Sequence, residues 1–195
     1  MLRLVCCLAV LALAAAQIPA RCASPAQWSA QAFVRDSERG QTELIGTRYF
    51  YDAVNQRKAR FDQVDADRNT SYFIVIELHQ EGTEYIYDIQ SRSCKKQDLR
   101  RPFIPHSVVD NATYHGDYII GSSATPDSGV EIEVWTHRFE SEHGTFEWTG
   151  EFTRSHCFPV ESHVEGRGFF FVEQFIDIVV GLPDPNVFIP PEECQ

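Results

Sequence analysis

Apolar and polar residues alternate with a period of two along most of this chain. Trp28 to Val34 opens the pattern, and Leu44–Asp52, Arg57–Val64 and Tyr72–His79 continue it. Thr83 to Ile89 sets Tyr85, Tyr87 and Ile89 on one face against Glu84, Ile86 and Asp88 on the other. Val130 to Thr136 behaves in the same way. In Thr145 to Phe152, Phe146, Trp148 and Phe152 alternate with Thr145, Glu147, Thr149 and Glu151. Side chains of a strand point to opposite faces in turn, so each segment predicts a strand with one apolar face. Tyr72–His79 is apolar on both faces, as expected of a strand covered from two sides. Gly82, Gly129 and Gly144 fall at the breaks, where turns need them. No capped segment of helical period competes, so the chain reads as an all-β protein of about ten antiparallel strands. Arg100 to His115, with Pro102 and Pro105, reads as a surface loop.

Met1 to Ala16 breaks the pattern. Arg3, the apolar run Leu4–Leu13 and the small residues Ala14–Ala16 form a secretory signal, cut after residue 16 or as late as Ala20. The run is too short to span a bilayer as a helix. The remaining residues, 17–195, read as a single domain, because no linker or composition shift divides them. Phe169–Leu182 is apolar but carries Glu173, Gln174 and Asp177, which makes it a core segment.

Export changes the meaning of the cysteines. Cys22, Cys94, Cys157 and Cys194 remain after the signal is removed, and in an oxidising compartment they imply two disulfides with three possible pairings. The sequons at Asn69 and Asn111 fit glycosylation in the same compartment. The formal net charge of −11 speaks against nucleic acid as a partner, since phosphate-binding surfaces need clustered Lys and Arg.

Catalytic signatures are missing. There is no G-x-S-x-G elbow, H-E-x-x-H, phosphate loop or C-x-x-C, and the seven histidines are scattered. No cofactor is required. The one dense oxygen cluster, Asp62 to Asn69, imitates the opening of an EF-hand loop but has Thr70 where that loop needs glycine. Asp65 and Asp67 share a strand face and are the better pair for a weak calcium site. The aromatic residues Tyr49, Tyr51, Phe73, Tyr85, Tyr87, Trp135, Phe146, Trp148 and Phe171 are candidates to line an apolar ligand pocket, or else to fill a core.

Three runs carry a resemblance. Tyr51–Arg57 (YDAVNQR), Cys157–Val160 (CFPV) and the run from Phe175 through Asp177-Ile178 to Asp184–Pro191 (DPNVFIPP), followed by Cys194, are similar to motifs of the ependymin-related proteins, in the same order, as is Cys22 just before Pro25 and Trp28. The resemblance covers essentially the whole chain after the signal. It implies strongly curved antiparallel sheets, like the half-barrel of LolA-type bacterial lipoprotein carriers, with an apolar pocket. It also implies the pairings Cys22–Cys157 and Cys94–Cys194 and a glycan on Asn111. The expected function is a secreted, non-enzymatic glycoprotein that holds a lipid or other apolar ligand, forms a homodimer and has the lysosome as an alternative destination. The rival expectation is an adhesion protein that meets the extracellular matrix through an acidic, weakly calcium-binding surface.

Overall fold

The computed structural model describes residues 18–38, 41–66 and 69–194. The signal segment and Asp67 lie outside the described residues. Among the described residues, eleven strands form one antiparallel sheet: β1 (Gln27–Glu38), β2 (Gln41–Asp52), β3 (Arg57–Ala66), β4 (Asn69–Leu78), β5 (Thr83–Asp88), β6 (Ser93–Asp98), β7 (Thr113–Gly121), β8 (Gly129–Ser141), β9 (Gly144–Thr153), β10 (Pro159–Gly166) and β11 (Phe169–Val180). Two meanders, β1–β6 and β7–β11, join where β1 pairs with β11, and the order is β6-β5-β4-β3-β2-β1-β11-β10-β9-β8-β7. The sheet is curved and does not close, so β6 and β7 are its two edges.

Each face is covered by a different irregular segment. The first face carries Trp28, Ala30 and Ala32 of β1, Tyr49 and Tyr51 of β2 and Phe175 of β11. The β6–β7 connection, residues 99–112, crosses it like a strap and sets Phe103 against that cluster. Farther along, Val108 of the strap packs with Trp135, Phe152 and Cys157. The second face carries Phe50, Ala59, Ile76, Tyr85 and Tyr87 and is covered by the C-terminal tail, whose Phe188 and Cys194 complete the cluster. Strand β4 lies under both covers. Val75 and Ile76, on opposite faces, are both buried, as its doubly apolar sequence predicts.

Each disulfide fixes an irregular segment in place, and one of them holds the tail cover. Cys22–Cys157 ties the N-terminal segment to the turn before β10, and Cys94–Cys194 ties the tail to edge strand β6. Two 3-10 turns, η1 (Pro185–Phe188) and η2 (Glu192–Cys194), shape the tail. Asp184 caps the first by accepting a hydrogen bond from the Asn186 amide at 2.9 Å.

Candidate functional site

The face under the strap gathers the buried polar chemistry. His106, in the strap, is ringed by Trp28, Tyr49, Tyr51 and Phe175, with ring centroids 5.0–5.7 Å away. Its Nε2 lies 3.0 Å from the Tyr49 hydroxyl, and its amide donates to the Tyr51 hydroxyl at 3.3 Å. Burial holds the imidazole pKa well below the usual value, and the Lys58 ammonium adds to the effect. Burial also raises Tyr49 well above the usual phenol range, reinforced by Glu173 and Glu77.

Beside this aromatic ring stands a network of opposite charges. Arg101 of the strap bonds Glu77 at 2.9 Å and also pairs with Glu84. His79 bonds Glu77 at 3.2 Å, while its other ring nitrogen meets the Arg101 carbonyl. Burial would raise the Glu77 carboxyl, but Arg60, Arg101 and Lys58 together hold it below the usual range. Burial pushes Lys58 down and Glu173 up, each against the attraction of the other. Lys58 is on β3 and Glu173 on β11, with β2 and β1 between them in the sheet. Arg60 and Asp62 approach at 3.7 Å, while Arg60 Nε and Asp62 Oδ1 are buried without a hydrogen bond. Sequence reasoning did not single out this network. Its only signal was the run of charges Lys58, Arg60 and Asp62 on one face of a strand otherwise flanked by apolar strands.

The nine aromatic candidates do not meet in one cavity. Tyr49 and Tyr51 fill the core under the strap, and Trp135 and Trp148 pack near the Cys22–Cys157 bridge. Tyr85 and Tyr87 point to the other face and are sealed beneath the tail. Phe146 lies across Gly166, and Phe171 is half-buried on β11. The expectation of a single pocket lined by all nine is therefore corrected. Alternation assigns residues to faces within one strand, but each face here has its own cover and its own core. Only Phe73 borders the groove described next.

That groove lies on the tail-side face where the tail does not reach. It has a volume of about 340 Å³ and is bordered by Phe33, Phe61, Tyr72 and Ile89, with Arg48 and Gln31 at its rim. Its floor is Gly46, where an added Cβ would meet nothing within 4 Å. Phe33 is 50 % exposed, Tyr72 42 % and Ile89 45 %. A second groove of about 300 Å³ shares Phe33 and continues past Leu44, Phe170 and Val172.

The other candidates stand apart. The Asp65 carboxylate accepts from Thr70 at 2.8 Å and from Gln63 at 3.4 Å, and Asp62 turns to the opposite face. Among the described residues no three His, Cys, Asp or Glu side chains gather as a metal site. Asn111 is exposed in the turn before β7, at a φ of 62°. Asn69 begins β4.

Comparison with known proteins decides the family. The Ependymin family model matches residues 67–194, which is more than half of the chain. The chain is a member of the ependymin family. Mammalian ependymin-related protein 1 of Rattus norvegicus is 26 % identical over 185 residues, covering 91 % of this chain and 77 % of that protein. Ependymin-2 of Carassius auratus is 28 % identical over 159 residues, covering 80 % and 72 %. Among solved structures, an uncharacterized conserved protein from Thermus thermophilus superposes with a TM-score of 0.52 at 10 % identity, covering 89 % of each chain. That likeness concerns the fold alone. Within the ependymin fold, the three motifs that carry the resemblance sit at turns and covers. YDAVNQR is the β2–β3 turn, CFPV leads from the Cys157 bridge into β10, and DPNVFIPP is the tail.

Proposed function

We propose that this ependymin-family protein is a secreted, non-enzymatic binder of a lipid or other apolar ligand. The observation that carries this reading is the groove over Gly46. Phe33, Tyr72 and Ile89 stay about half exposed there although both irregular segments bury comparable residues elsewhere. Contiguous apolar exposure of this kind marks a binding surface, and its volume falls at the lower end of small-ligand sites, ~300–1,000 Å³. Binding rests on burial of apolar area, worth ~25 cal/mol per Å² before ordering costs. The two disulfides, the exposed Asn111 sequon and the N-terminal signal support export, with the extracellular fluid or the lysosome as destination. No helix among the described residues is long and apolar enough to cross a membrane. A homodimer belongs to the same reading.

The test is uptake of a fluorescent fatty acid by delipidated protein, with mass spectrometry of whatever the native protein releases. Wild type should bind. Gly46→Phe should fill the groove and weaken binding about tenfold or more without loss of fold, because the added side chain meets open space. No released lipid and no uptake by wild type would overturn the reading.

A further inference from the structure

The two edges of the sheet are protected very differently. Strand β6 reads SCKKQD, with exposed Lys95 and Lys96, and is tied to the tail through Cys94. Lysines on an edge hinder the approach of another strand. Strand β7 carries no Lys, Arg or Pro. It pairs with β8 on one side, and among the described residues no strand pairs with its other side. Tyr118, Ile119 and Ile120 are 46–53 % exposed there, and neighbouring Val130 on β8 is 51 % exposed. Three consecutive exposed apolar residues beside a free row of backbone N–H and C=O groups make a strand-pairing surface.

We infer that β7 is the seat of the homodimer, pairing antiparallel with β7 of a second copy about a two-fold axis at Ile119. The dimer itself is part of the reading above; the edge strands add where it forms and in what register.

Charge and shape choose the occupant. A chain of net charge −11 repels its own copies over most of its surface, but β7 has one carboxylate, Asp117, already paired with Arg154 and bonded by the Tyr114 hydroxyl. In the proposed register Ile119 faces its own counterpart, Tyr118 faces Ile120, and Asp117 faces Gly121, which has no side chain to clash. No carboxylate opposes another. Each strand therefore satisfies the other's free backbone groups while covering apolar surface, the self-complementarity that a two-fold contact requires. A β6–β7 contact would instead propagate head to tail into open filaments, and Lys95 and Lys96 stand against it. Asn111 precedes Ile119 by eight residues, about 27 Å of extended chain, so a glycan there does not cover the pairing segment.

Sedimentation of the secreted chain at micromolar concentration tests the proposal. Wild type should be a dimer. Ile119→Lys sets two like charges directly opposite on the axis and should weaken the dimer about tenfold or more, with circular dichroism and melting temperature retained because the residue is exposed. Tyr118→Lys alone should weaken it as well, and adding Ile120→Glu should restore it, because those positions oppose each other only in this register. A monomeric wild type would overturn both the dimer and its seat. A dimeric wild type left dimeric by Ile119→Lys would overturn the seat alone, and failure of the Tyr118→Lys, Ile120→Glu pair to restore would overturn the register.

Discussion

Asp52 shows how one side chain can organise a turn. It is fully buried at the end of β2 and accepts from Gln27 at 3.1 Å, from the Asn55 amide at 3.1 Å and side chain at 2.7 Å, and from Arg57 at 2.8 Å. Burial alone would raise its carboxyl, but these donors hold it below the usual range. Arg57 in turn lies over the Phe188 ring at 4.1 Å, so the turn also anchors the tail. Replacing Asp52 by Ala strands all these donors, and chemical denaturation should show a loss of about 3 kcal/mol. A different constraint acts at Gly150, where an added Cβ would lie within 3 Å of the rings of Trp148 and Phe152. Gly150→Ala should lower stability by about 1–3 kcal/mol, because the core must shift to admit one methyl group. A melting temperature unchanged by this substitution would show that the rings move freely.

At the scale of elements, the tail is the clearest dependent part. It has two short 3-10 turns, and its hold comes from Phe188, Cys194 and the Tyr87 hydroxyl, which donates to Glu193 at 3.3 Å. The Cys94–Cys194 bridge closes a separation of 100 residues. Its removal by paired Ser substitutions should cost about 2–4 kcal/mol, and limited proteolysis should then cut first within the tail. The resemblance implied both pairings, and the structure forms them. The strands with one apolar face were legible from period two alone. Strand β6 was not, because SCKKQD has no apolar alternation and takes its conformation from pairing with β5. The start of β7 was read as loop because its exposed edge carries little burial signal. The candidate pocket was misassembled for a related reason. Alternation tells that Tyr85 and Tyr87 share a face, and likewise Tyr49 and Tyr51, but only pairing through β3 and β4 puts the two sets on opposite sides of the sheet. Gly46, the floor of the groove, gave no signal because what matters there is a missing side chain.

For the whole molecule, the strap decides how the sheet responds to acid. It is held by the Leu99 amide on the Gly82 carbonyl at 2.8 Å, by Arg101 on Glu77 and Glu84, by Val108 on the Cys22 carbonyl at 2.9 Å, and at its centre by His106. The groups facing His106 are Tyr49 and Tyr51 from β2, Lys58 from β3, and the uncharged Trp28 and Phe175 from β1 and β11. None of them supplies a carboxylate in contact with an imidazolium. The folded imidazole pKa is therefore depressed, and between the ordinary value of 6.5 and that lower value the unfolded chain binds the extra proton. Stability contributed by neutral His106 is full above about pH 6.5 and falls as the pH drops, by at most about 1.4 kcal/mol per unit. Glu133, Glu151 and Glu173 are raised by burial and act with the opposite sign, since the folded state takes their protons first. Glu77 and Asp52, held low, lose their contribution only in stronger acid. Melting temperatures of wild type and His106→Phe between pH 7.5 and 5 separate these effects, because the glutamates are common to both proteins and cancel in the difference. Wild type should lose stability relative to the variant as the pH falls, and proteolysis should then open the strap first. Parallel curves would mean that the strap accommodates a charged His106 and that acid acts elsewhere.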